Sequence, residues 1–223
     1  DADCNIIVPE TAIWTHDYVE FFDAVLDDRG RAVVAYGQGS THVAWIDTDG
    51  SIIRTEAPFH ISAGNGTHVA MNRSTGAGIV ASQRHSGDHI YYQRFNSAFE
   101  WVDASPVWMP AGYHYWYDGF TIGMNDNDEF AFLWVSDETT IEMAFYNAEG
   151  TRIEEVARSM PAYGAHDVFR RRHSEIPLNG DNFIFGEVYS YAFSAGTEVK
   201  HFEYTPTGEF VSESSTTHSI NEG

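Results

Sequence analysis

The chain is short of positive charge and almost without sulfur nucleophiles. Its 223 residues carry 12 lysines and arginines against 33 acidic residues, a formal net charge of −21. Such a balance repels a polyanion such as nucleic acid and an anionic membrane surface, which leaves cations as the natural partners. Cys4 is the only cysteine. No intrachain disulfide framework and no thiolate-built zinc or iron–sulfur site follows from one thiol, so a bound metal has to be held by imidazole or oxygen. No apolar run is long enough to cross a bilayer as a helix. The first residue is Asp1 rather than methionine, which suggests a processed chain, and export is the expectation.

Helical patterning is missing as well. Nowhere do apolar residues recur at the 3.6-residue spacing of a helix face. The sequence instead offers short aromatic and β-branched runs separated by Gly, Asn and Asp turns. With 43% hydrophobic residues the chain can bury a large core or a row of small ones, and a single domain over residues 1–223 is expected.

Those runs repeat. Residues 23–55 break into DAVLDD, RAVVAYG, HVAWID and SIIRT, joined by a DRG turn, a GQGST corner and a TDG turn. A second copy reads HVAMN, AGIVASQ, HIYYQRF and AFEWVD, and a third FTIGM, EFAFLWV, TIEMAFY and TRIEEV. The fourth is looser: DVFRRR, an inserted HSEIPLNGDN, then FIFGEV, YSYAFSAG, TEVKHFEY and EFVSE. A four-stranded meander repeated about every fifty residues is the mark of propeller blades, which bury their faces only against neighbouring blades. The predicted fold is all-β, a propeller-like array of about four four-stranded antiparallel meander blades, with NIIVPETAIW as a spare outer strand that closes the ring.

In such a blade, with strands A to D counted from the axis, the D–A connections and the B–C corners emerge on one face. His16, His60 and His114 lie in D–A connections, ten or eleven residues before Leu26, Met71 and Met124 of the A strands. His42, His85 and His89 fall at B–C corners, and His68 and His166 at the mouth of strand A. Eight of the 11 histidines are therefore expected on one face. Neutral imidazole is a common ligand for copper, zinc and nickel, so this face is a candidate metal site.

The run Ile13-Trp14-Thr15-His16-Asp17 sets a tryptophan two residues before a histidine at the entrance to a blade. In an extended segment both side chains point the same way. This Trp-x-His element, in an acidic, β-rich, histidine-rich chain of this size, resembles the surface-associated copper-binding proteins of methanotrophic bacteria, the MopE and CorA group. The resemblance implies mononuclear Cu(I) held by two histidines and by the amino group of a kynurenine made from the tryptophan of the motif. Carried over, Trp14 is the modified residue and His16 the first ligand. The second histidine lies downstream, at His85 or, next, His89, with His68 and His60 as the remaining alternatives. The resemblance further implies a secreted or outer-surface monomer that scavenges copper, with an outer-membrane surface component as its neighbour, and not an enzyme.

Catalytic motifs are lacking: no Gly-x-Ser-x-Gly elbow, His-Glu-x-x-His helix, phosphate loop or dinucleotide fingerprint is present. The pairs Asp126 with Asp128 and Asp47 with Asp49 sit in tight turns on the face opposite the histidines, where turn chemistry accounts for them; calcium held by these turn oxygens is a secondary expectation. The rival reading is a carbohydrate-binding propeller, with Trp108, Tyr113, Trp116 and Tyr163 near blade entrances to stack on sugars. A secreted hydrolase would need carboxylates on the histidine face, where Asp17 and Asp88 are the candidates.

Overall fold

The computed structural model describes residues 21–37, 40–59, 63–84, 89–110, 120–137, 140–159, 178–191 and 196–219. Among them every regular element is a strand, and the strands form four antiparallel four-stranded sheets in simple meander order. Blade 1 comprises β1 (Phe21–Leu26), β2 (Ala32–Gly37), β3 (Thr41–Ile46) and β4 (Ile52–Phe59). Blade 2 comprises β5 (Ala63–Met71), β6 (Gly78–Arg84), β7 (His89–Phe95) and β8 (Val107–Pro110), and blade 3 β9 (Phe120–Met124), β10 (Phe130–Asp137), β11 (Thr140–Tyr146) and β12 (Arg152–Ser159). Blade 4 comprises β13 (Leu178–Asn179), β14 (Asn182–Tyr191), β15 (Gly196–Tyr204) and β16 (Phe210–Ser219). The all-β, four-blade expectation is what the sheets show.

Two strand assignments need correction. The last strand of the second repeat is not AFEWVD but Val107–Pro110. The AFEWVD stretch makes only a single bridge, Phe95 to Trp101, because Arg94 draws in the Asp103 carboxylate at 2.7 Å and pulls the chain into a bend. In the fourth repeat the first strand observed is Leu178–Asn179, inside the stretch read as an insertion, and FIFGEV runs on into YSY as the single strand Asn182–Tyr191. DVFRRR and NIIVPETAIW lie outside the described residues.

Alternation within each strand decides how the blades stack. In β6, Val80 joins the cluster against blade 1, which includes Val33, Val43, Trp45 and Phe59, whereas Ile79 and Ala81 join the cluster against blade 3. In β10, Phe130, Phe132 and Trp134 face blade 2, and Ala131 and Leu133 face Phe183, Phe185 and Phe202 of blade 4. Each central sheet is thus apolar on both faces, the arrangement that blade-on-blade burial requires. Aromatic pairs fill the seam of blades 2 and 3, where Phe130 stacks on Tyr146 at 4.8 Å and meets Tyr92 edge-on at 5.9 Å.

The lower turns follow one recipe. Asp27, Asn72 and Asn125 open the turn after the first strand of blades 1, 2 and 3, and their side-chain oxygens accept turn N–H groups: Asp27 from Arg29 and Arg31, Asn125 from Asn127 and Glu129. The turn then needs a left-handed residue, supplied by Gly30 (φ 85°) in blade 1 and by Asp128 (φ 61°) in blade 3. Arginines fasten the seams further out. Arg31 bonds Ser97 O and covers Phe99, Arg94 bonds Ala148 O, and Arg158 lies 3.7 Å from the Phe202 ring centroid.

Candidate functional site

The upper end of the array is where β2–β3 and β6–β7 corners turn and where β1, β5 and β9 begin. His42 is the second residue of β3 and His89 the first of β7, whereas His68, expected at the mouth of its strand, is the sixth of the nine residues of β5, just past its middle. The structure therefore places His42 and His89 at one end of adjacent blades and His68 deeper along the inner strand of blade 2. His42 stacks on Tyr36 at 5.6 Å, and burial pushes the Tyr36 hydroxyl pKa up. His89 meets Trp108 edge-on at 5.0 Å. Trp108, 58% exposed, is the rival sugar-stacking aromatic that the described residues contain. Trp14, His16, His60, His85, His114, His166, Asp17, Asp88, Tyr113, Trp116 and Tyr163 lie outside the described residues. Among the described residues no three His, Cys, Asp or Glu side chains converge as a metal-holding group.

His68 has the most defined surroundings. Its Nδ1 lies 3.2 Å from Oδ2 of Asp23 on blade 1. That carboxylate is buried and is fixed in turn by the backbone N–H groups of Val69 at 3.1 Å and of Ala24 at 2.9 Å. A carboxylate only accepts, so Nδ1 carries a proton, and in the neutral ring the lone pair then falls on Nε2. The ring is held from the other side by Phe120, edge-on at 4.9 Å. Gly66 lies beside Nε2: a Cβ built on it, at φ 136°, would sit 3.4 Å from that nitrogen.

Gln83 closes the picture. His68 pairs with Ala81, and Gln83 projects from the same face of β6 two residues on. It follows Ser82, the partner of Thr67, at the point where the β5–β6 register shifts before the Ala63–Arg84 pair. Its side chain is 0% exposed, and neither its oxygen nor its nitrogen has a hydrogen-bond partner. Across the seam, the buried indole Nε1 of Trp134 is likewise unpaired, and Trp134 is the strand partner of Phe120. Buried polar atoms are nearly always paired; Gln83 and Trp134 are exceptions at this seam, as is Trp45 Nε1 in the core of blade 1. The sequence reading missed Asp23 and Gln83. The signal available was a polar residue at an inward position of an otherwise apolar strand.

At the lower end the acids have other work. Asp128 Oδ1 accepts from Asn72 Nδ2 at 2.6 Å and from Thr75 Oγ1 at 3.2 Å, and Asp49 Oδ1 from the Ser51 N–H at 2.8 Å. The Ser51 hydroxyl and backbone N–H hold the Asp49 pKa down. Asp126 and Asp128 occupy the turn between β9 and β10, and Asp47 and Asp49 that between β3 and β4, on the end away from His42, His68 and His89.

No family model matches the sequence, and no curated protein matches it. Several solved structures are similar in fold. One is a protein of unknown function from Bacteroides caccae, 12% identical over 82% of this chain and 57% of that chain, with a TM-score of 0.44. Another is an alpha-L-arabinofuranosidase from Clostridium thermocellum, 13% identical over 87% and 72%, with a TM-score of 0.48. A third is a subtype N11 neuraminidase-like protein of A/flat-faced bat/Peru, 13% identical over 89% and 58%, with a TM-score of 0.49. The chain spans only 57% of the first of these, 72% of the second and 58% of the third. Identities this low say nothing of activity, and the propeller-like architecture rests on the sheets and seams of this chain itself.

Proposed function

We propose that this chain is a secreted or outer-surface copper-binding protein, a scavenger or carrier and not a catalyst, which holds Cu(I) through imidazole nitrogen at the upper end of the array. The observation that supports the reading is the placement of His42 and His89 at the upper strand ends of adjacent blades, with His68 near the middle of β5. The chain's net charge of −21 draws a cation toward it, and the carboxylates of the lower turns are already engaged by turn donors. Cu(I) accepts low coordination numbers and nitrogen donors, so a few imidazoles suffice.

Trp14 and His16 belong to the same reading. An intact indole offers only an N–H donor. Dioxygen cleaves the indole C2–C3 bond, and water then removes the formyl group as formate, which leaves the aryl amine of kynurenine as a donor beside His16. The test is metal analysis and peptide mass spectrometry on one natively produced sample. The reading predicts near-stoichiometric copper that falls in His16→Ala, with a gain of about 4 Da on the peptide holding Trp14. Intact Trp14 and no copper after incubation with Cu(I) would overturn it, and a glycan screen centred on Trp108 would follow.

A further inference from the structure

We propose that His68 Nε2 and the Gln83 carboxamide oxygen are donors to the bound copper, with Asp23 as the positioning residue that fixes the imidazole. The proposal rests on the metal-binding reading above and names its donors. It does not depend on oxidation of Trp14.

Three features of the geometry point this way. First, the Asp23–His68 pair has the form that metal-bound histidines adopt: a carboxylate takes the proton of one ring nitrogen, which sets the tautomer and aims the other at the metal. The 3.2 Å contact crosses from blade 1 to blade 2 and is held by two backbone N–H groups on the carboxylate, so the ring is anchored before any ion arrives. Second, the residue beside Nε2 is Gly66, where a Cβ would sit against the nitrogen at 3.4 Å. Third, Gln83 lies on the same sheet face as His68, two residues beyond its partner Ala81, and is buried with both side-chain heteroatoms unpaired. A leucine would fill that volume without burying an unpaired amide. An amide oxygen is a known weak axial donor at copper sites, and an ion on His68 Nε2 gives Gln83 Oε1 its missing partner. The buried Asp23 carboxylate offsets the added positive charge through the imidazole.

The test uses natively produced protein, stripped of metal and titrated anaerobically with Cu(I) against a competing chelator. Wild type is compared with His68→Ala, Asp23→Asn, Gln83→Leu and His85→Ala. The proposal predicts that His68→Ala weakens Cu(I) binding by more than about 100-fold and Asp23→Asn by about 10–100-fold. Asp23 also holds the Val69 N–H, so its variant carries a folding cost. Gln83→Leu keeps the question decidable: it is expected to weaken binding several-fold while the metal-free protein melts at a higher temperature, a combination that a structural role does not produce. In wild type the His68 Nε2 nitrogen resonance should shift on adding Cu(I). If His68→Ala and Gln83→Leu bind Cu(I) like wild type while His85→Ala does not, the donors lie elsewhere and this proposal fails, although the metal-binding reading stands. If wild type binds no Cu(I), both fail.

Discussion

Asn72 and Asn125 hold the same position in successive blades, and each donates its Nδ2 to a carbonyl of the next blade, Asn72 to Asp126 O at 2.9 Å and Asn125 to Asp181 O at 3.1 Å. Each also closes its own turn through Oδ1. One asparagine therefore shapes a turn and sets the spacing to its neighbour. Both are fully buried, so truncation leaves several groups unpaired. Asn72→Ala or Asn125→Ala is expected to cost about 2–4 kcal/mol in urea unfolding. The double variant should cost less than the sum, because Asn72 binds the very turn that Asn125 shapes.

Gly78 opens β6 with no room beside it. A Cβ there would lie 2.6 Å from the backbone oxygen of Ala70 and press on the Phe95 ring. Gly78→Ala should destabilise the protein by about 1–3 kcal/mol or more, measured as a lowered unfolding midpoint, since the obstacle is backbone and cannot swing aside.

The orphaned Gln83 makes the opposite forecast. With both its side-chain heteroatoms buried and unpaired, Gln83→Leu should stabilise the metal-free protein by about 1–3 kcal/mol in thermal or urea unfolding. A loss of stability would mean that the carboxamide is satisfied in solution.

Asp27 provides a pH test. Burial raises its pKa, but the backbone N–H and guanidinium of Arg31 and the N–H of Arg29 outweigh that and leave it lowered. A group whose folded pKa is depressed adds stability above its unfolded pKa and loses it as pH falls through the folded value. Asp27→Asn should therefore be less stable than wild type at neutral pH, and the gap should narrow below about pH 4, measured as unfolding midpoints across pH.

The blade plan was legible because apolar alternation and Asx turns are local signals. Blade 2 shows where locality ends. AFEWVD has strand character, but Arg94 and Asp103, nine residues apart, draw it into a bend, and the strand forms four residues later at Val107. The end of the array occupied by His42 and His89 was likewise legible from loop position, whereas His68, expected at the strand mouth, lies past the middle of β5 because that strand starts five residues earlier, at Ala63. What periodicity could not supply was the partner of His68: Asp23 is 45 residues away on another blade and becomes its neighbour only when β1 packs on β5. Gln83 escaped notice because a single glutamine in a strand is silent until its burial is known.

Copper in this chain, as proposed above, is held by imidazole with oxygen in support and without sulfur. X-ray absorption at the copper edge on the natively produced, copper-loaded protein tests it most directly. The account predicts a nearest shell of nitrogen and oxygen with the outer scattering of imidazole rings. A sulfur shell, from Cys4 or methionine, or a copper edge with no imidazole scattering, would contradict it.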